Sequence, residues 1–127
     1  MDKRIIKFRG KQTEHDVWVY GNLLKWNDGD SYICFQCKDD MNKCQVLGKT
    51  VGQFTGLHDK NGKEIYEGDI VKNGLSGTWE ILPLERGSFS LLGICEKYKD
   101  SNFDIAALNY EAEVIGNIFD NPELIKK

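Results

Sequence analysis

Four groups of side chains in this sequence carry chemistry. The first is Cys34-Phe35-Gln36-Cys37 with Cys44. Thiolates spaced this way can hold zinc, but a structural zinc site needs four ligands, commonly in two close pairs. The second pair is incomplete here, so Cys95, Asp39, Asp40 or a histidine would have to supply the fourth ligand. Cys34 and Cys37 also differ in strand parity, and an unbroken strand aims them at opposite faces. A redox pair of this spacing sits at a helix N-terminus, where the thiolate is stabilised. This pair leaves a strand. The cysteines therefore read as small half-buried residues and loop thiols, with no metal and no cofactor expected.

The second group is the two histidines, His15 and His58. A general base is most often a histidine held by a carboxylate, and His58-Asp59 has that look. Neighbours on a strand point to opposite sides, however, so both histidines read as solvent-facing turn residues. The third group is Glu64, Glu67 and Asp69. Glu67 and Asp69 are two apart, so a strand would set them on one face. A small metal-dependent hydrolase could use such a pair. The plainer reading is that Asp69 caps a turn and the glutamates solvate it.

The fourth group is aromatic. Trp18, Tyr20, Trp26, Tyr32 and Phe35 interleave with Lys7, Arg9 and Lys25. Aromatic rings beside cations on a small sheet can stack single-stranded bases. Alternation makes one aromatic set core, and the sequence does not fix which set faces out. The candidate binding surface is Lys7, Arg9, Trp18, Tyr20 and Trp26.

The elements that position these groups are short strands. Residues 4–9 alternate, with Ile6 and Phe8 on one face and Lys7 and Arg9 on the other. Val17-Trp18-Val19-Tyr20 is β-branched and aromatic, and the pattern continues through Leu23 and Leu24. Asn27-Asp28-Gly29-Asp30 is a hairpin signal, and residues 31–36 return. The first 36 residues thus predict a three-stranded antiparallel meander. Residues 37–42 read as loop and 43–47 as a short strand at best. Further on, residues 79–82 and 88–92 read as strands, with Pro83 ending the first or placing it at an edge. Residues 105–108 are too short to separate strand from helical turn. Residues 113–119 read as a strand. Asn121 as N-cap, Pro122 at the first helical position and Glu123 beside the positive end predict a short C-terminal helical turn.

The most structured stretch is residues 51–71. Asp59-Lys60-Asn61-Gly62 is a turn signal, because Asp bonds the backbone two residues on and Asn and Gly tolerate positive φ. It fits a two-residue type I′ hairpin centred on Asn61-Gly62, or a type I turn with Gly62 as bulge glycine. Asp59, Asn61, Gly62, Gly68 and Asp69 are its structural turn residues. The glycines at 52, 56, 62 and 68 leave little room for a helix, and the strand–loop–helix context of a phosphate loop is missing.

This stretch also resembles a known family. Gly52-Gln53-Phe54-Thr55-Gly56-Leu57 followed by residues 59–71 is similar to the YopX family of phage and prophage proteins. Residues 5–10 with Trp18-Val19-Tyr20-Gly21, and residues 113–124, resemble the same family in the same order. The resemblance implies a small β-rich protein of phage or prophage origin and implies no particular activity.

Composition sets the remaining bounds. The chain has 127 residues, 40% hydrophobic and 11% aromatic, with a net charge of −3. That is too apolar and too weakly charged for disorder. Residues 1–50 carry 9 Lys+Arg against 7 Asp+Glu, a balance of +2, and residues 51–127 carry 8 against 13, a balance of −5. Duplex binding needs several phosphates neutralised at once, so nucleic acid ranks below protein as a partner. No 18-residue apolar run offers a membrane span, and no apolar core of a signal peptide follows the N-terminal charges. A cytoplasmic protein with reduced thiols is expected.

The expected architecture is mainly β. A meander sheet over residues 1–48 is followed by an SH3-like small β-barrel over residues 49–127, within a single domain of residues 1–127. The expected function is a non-enzymatic protein-binding or adaptor module, with a phage or host partner or with itself. The alternatives are a single-stranded nucleic-acid-binding module using the N-terminal basic and aromatic face, and a small hydrolase using Glu64, Glu67, Asp69 and His58.

Overall fold

The computed structural model describes residues 6–34, 43–73, 77–83, 89–94, 99, 101–108 and 111–125. The described residues are mainly β, with antiparallel pairings in two sheets and short 3₁₀ turns between strands. No helix among them is long and apolar enough to cross a membrane. The chain divides into two compact units, Met1–Phe54 and Thr55–Lys127.

The first unit contains β1 (Phe8–Lys11), β2 (Trp18–Lys25), β3 (Ser31–Cys34) and β4 (Lys43–Val46), and β5 (Gly52–His58) begins in it. Their order is β4-β3-β2-β1-β5. The expected meander is present. Its second turn is the Asn27–Asp30 signal: Asp30 N donates to Asp28 Oδ1 at 2.9 Å, and Gly29 N to Trp26 O at 3.0 Å. Sheet curvature brings the end of β4 back to the end of β1. Gln12 bridges Val46, and Leu47 N donates to Lys11 O at 2.8 Å. Gly10 permits this approach, since a Cβ there would lie 2.8 Å from Val46 Cγ2. Ile33 and Val46 fill the inner side and are buried.

The second unit holds the rest of β5, then β6 (Glu64–Tyr66), β7 (Asp69–Asn73), β8 (Thr78–Pro83), β9 (Phe89–Gly93), β10 (Asn102–Asp104) and β11 (Ala112–Asn117). Five of these strands form a sheet of order β10-β9-β8-β7-β11. Its core is Ile65, Val71, Trp79, Ile81, Phe89 and Leu91, with Ile105, Leu108 and Val114 packed against it. Each such side chain contributes about 1.5–3 kcal/mol on burial. Pro83 sits where it does least harm, at the last position of β8 opposite Phe89.

The SH3-like barrel expected for this half is not found among the described residues. A barrel would join the two ends of the order, β10 and β11. The outer edge of β11 is occupied otherwise: Ala112 O accepts from Lys60 N at 2.8 Å, and Val114 N donates to Asp59 Oδ2 at 3.0 Å. The ambiguous residues Ile105–Ala107 are a 3₁₀ turn, capped by the Asp104 carboxylate. The C-terminal helical turn is also 3₁₀, Pro122–Leu124, but Asn121 does not cap it. Its Oδ1 instead accepts from Asn117 N at 3.1 Å, tying the chain end back to β11.

The β5–β6 connection is the type I turn with a bulge glycine. Gly62 N donates to Asp59 O at 2.9 Å, Asp59 N to Lys63 O at 2.8 Å, and Gly62 has φ +83. A Cβ on Gly62 would meet nothing within 4 Å. The cost of replacing it is therefore conformational. Gly62→Val is expected to destabilise the protein by about 1–2 kcal/mol. A thermal melt unchanged by that substitution refutes the turn assignment.

Candidate functional site

Strand register decides which aromatic set faces out. Residues directly opposite each other share a sheet face. Arg9 opposes Tyr20 and Lys11 opposes Trp18. Leu24 opposes Tyr32, and Cys34 opposes Lys43. By the two-residue period these all lie on one face. Gly10, Val19, Leu23, Ile33 and Val46 lie on the other, which holds the core. The aromatic face is the outer one: Tyr20 is 43%, Leu24 42% and Trp26 49% exposed, whereas Ile33 is fully buried.

Cations lie over these rings. The Arg9 guanidinium is 4.6 Å from the centroid of Trp18, and Lys11 Nζ is 5.7 Å from the same ring. Lys43 Nζ is 4.9 Å from Trp26 and 5.7 Å from Tyr32. Lys7 Nζ is 5.4 Å from Phe54. Trp26 and Tyr32 meet edge to face at 5.9 Å, a geometry the ring quadrupoles favour. An open hollow of about 430 Å³ lies against Trp26, Asn27, Asp28 and Tyr32.

The five residues of the candidate surface thus come together, in different roles. Tyr20 and Trp26 are exposed, while Lys7 and Trp18 are half-buried. Arg9 is only 4% exposed and acts as a support under Trp18. Lys25 does not join them. It opposes Ser31 and so belongs to the other face. Lys43 takes the place that sequence reasoning gave to Lys25. The register of β4 against β3 shows this, and the sequence alone does not reveal it. Phe35 lies outside the described residues.

The other candidates are not assembled into a site. Cys34 is in a disulfide, which corrects the expectation of reduced thiols throughout and removes Cys34 as a zinc ligand. Cys44 is a free thiol, opposes Ile33, and so faces away from Cys34. Cys37 and Cys95 lie outside the described residues. No group of three or more His, Cys, Asp or Glu among the described residues is placed to hold a metal ion. His15 is exposed on a hollow of about 230 Å³ beside Lys43 and Cys44, and His58 is exposed at the end of β5.

Glu67 and Asp69 do not share a strand face. β6 ends at Tyr66 and β7 starts at Asp69, so the parity argument fails at the break. Asp69 is buried, and its Oδ2 accepts from Tyr66 N at 2.8 Å. Glu64 Oε1 accepts the Tyr66 hydroxyl at 2.8 Å. Asp69 is therefore the turn-capping residue that the plainer reading expects, with Gly68 donating to Ile81 O from inside the turn.

Asp59 accepts three backbone hydrogen bonds. Its Oδ1 accepts from Asn61 N at 2.8 Å and Lys63 N at 2.9 Å, and its Oδ2 accepts from Val114 N at 3.0 Å. Burial by itself pushes this carboxyl up. The three backbone donors, Val114 first, and the Lys63 charge outweigh burial and hold it below the ordinary aspartate range.

A family model described as YopX protein matches residues 7–126. Among solved structures, the crystal structure of protein EF1440 from Enterococcus faecalis is similar over 98% of this chain and 100% of that one. The two share 26% sequence identity and a TM-score of 0.60. No curated protein matches the chain.

The lowered Asp59 carboxyl fixes the sign of a pH effect. Its contribution to stability is complete above the ordinary aspartate value of about 3.9 and is lost as pH falls through the lower folded value. Asp59→Asn puts an amide donor among N–H donors. It is expected to cost about 1.5–3 kcal/mol at neutral pH. The gap to the native chain should narrow in strong acid. Urea denaturation of both chains at neutral and acid pH measures it, and a gap that stays constant contradicts the assignment.

Proposed function

The chain belongs to the YopX family, and we propose that it acts as a non-enzymatic binding module for a protein partner, phage or host, with the outer face of the N-terminal sheet as its contact surface. The observation behind this reading is the row Tyr20, Leu24 and Trp26. Tyr20 and Leu24 share a face of β2, Trp26 just past its end packs against Tyr32 of that face, and each is more than two-fifths exposed. Aromatic residues and arginine dominate the energetics of protein interfaces, where rigid rings bury much area at little entropic cost.

The groups that could do chemistry support a scaffold better than a catalyst. Asp59, Asp69 and Glu64 accept structural hydrogen bonds, and Cys34 is in a disulfide. The nucleic-acid alternative asks for more accessible positive charge than this face offers. Arg9 is buried, and Lys11 pairs with Asp16 at 2.7 Å. Few phosphates could then be neutralised, and binding to a single strand would be weak even at low salt.

The test is cross-linking capture from host cells with the full chain, compared among native, Tyr20→Ala, Trp26→Ala and Lys25→Glu proteins. A specific protein should be held by the native and Lys25→Glu chains and lost from the two ring variants, whose thermal melts stay native-like because both rings are exposed. Capture that ignores both rings would falsify the assignment of this face.

A further inference from the structure

We infer that the segment this face receives is acidic and amphipathic: an apolar ridge laid along Tyr20, Leu24 and Trp26, with carboxylates reaching Lys43 on one flank and Lys7 on the other. The inference rests on the binding-module reading and names the chemistry of its partner. Charge carries it furthest. β1, β2, β3 and β4 contain no Asp or Glu; of their cations Lys43 is exposed on the aromatic face, Arg9 is buried there, Lys11 pairs with Asp16, and Lys25 lies on the other face. The acidic residues described in this unit, Glu14, Asp16, Asp28 and Asp30, all lie between strands. The strands thus place no carboxylate on the aromatic face, and its exposed strand cation is Lys43, held over the rings of Trp26 and Tyr32.

Geometry gives the segment its shape. Strand residues two apart are separated by about 6.8 Å, so the row from Tyr20 to Trp26 extends over about 20 Å. That length suits a short helix or a few extended residues lying along β2. Lys43 is held over the rings of Trp26 and Tyr32, which limits the freedom it loses when a carboxylate arrives. The hollow beside Trp26 and Tyr32 suits an apolar side chain. Asp28 on its rim repels a carboxylate there and directs acidic groups toward the lysine flank.

A polyanionic strand fits less well. Base stacking needs open ring faces, and Trp18 and Trp26 already carry cations of this chain. A peptide with two or three carboxylates needs only the cations within reach, and its apolar groups supply the rest.

The experiment titrates the full chain, followed by tryptophan fluorescence, with three probes: an amphipathic peptide of leucine and glutamate, its leucine and lysine counterpart, and oligo-dT. The glutamate peptide should bind, and added salt should weaken it. Lys43→Glu and Trp26→Ala should each reduce affinity by about ten-fold or more. Lys25→Glu, on the opposite sheet face, should leave it within about two-fold. Failure of the glutamate peptide to bind, equal binding of the lysine peptide, or preferential binding of oligo-dT overturns the inference. So does low-salt self-association abolished by Lys43→Glu, which makes a second copy of the chain the occupant. If ring-dependent capture from cells persists while the glutamate peptide fails, only the acidic assignment falls. If that capture fails too, the binding-module reading falls with it.

Discussion

One carboxylate, that of Asp59, connects parts of the C-terminal unit that are distant in sequence. Asp59 accepts hydrogen bonds from Asn61, Lys63 and Val114. The first two fix the turn that reverses the chain into β6. The third reaches β11, and Lys60 N adds a parallel tie to Ala112 O. An edge strand exposes unpaired N–H and C=O groups and invites pairing with another chain. Here the turn of one hairpin satisfies the outer edge of a strand from another part of the sequence. The same contact occupies the edge of β11, and among the described residues β11 pairs with β7 and not with β10.

The chemistry-bearing residues follow from this arrangement. Asp69 and Glu64 both bind groups of Tyr66, and Tyr66 is itself buried. A buried carboxylate that accepts a backbone N–H, as Asp69 does, is a strong structural element of its turn. The N-terminal unit differs in kind. Its inner face is closed by Gly10 lying against Val46. Its outer face keeps rings and cations where solvent reaches them, with one ring supported from beneath by Arg9.

Much of this was legible in the sequence because it is local. The meander, the Asn27–Asp30 turn and the presence of a turn at Asp59–Gly62 each follow from side chains a few residues apart, while the hydrogen bonds of the structure choose between the two turn types that fit. The family was legible for the same reason, since its glycines and aspartates cluster in such turns. What failed was non-local. Nothing near Asp59 in sequence reveals that its second oxygen serves Val114, which lies 55 positions away. Lys25 was grouped with the aromatic face although its parity on β2 sets it opposite Ser31 on the other face, and Lys43 was missed because the β3–β4 register was hidden. The turn-capping role of Asp69 was legible too, since Glu67-Gly68-Asp69 already reads as a turn, and that turn removes the strand on which Glu67 and Asp69 could share a face. The outer aromatic face could be drawn as a set but not oriented, since both faces of β2 carry apolar residues.

The claim that donors outweigh burial at Asp59, and so tie the turn to the sheet edge, can be read directly. Carbon-detected NMR titration of the Asp59 carboxyl in the native chain, with the Val114 amide followed in parallel, is the measurement. The account predicts a carboxyl midpoint below the ordinary aspartate range of about 3.9, and a Val114 amide shift that moves with the same midpoint. A midpoint at or above that range, or a Val114 amide indifferent to it, would contradict the account.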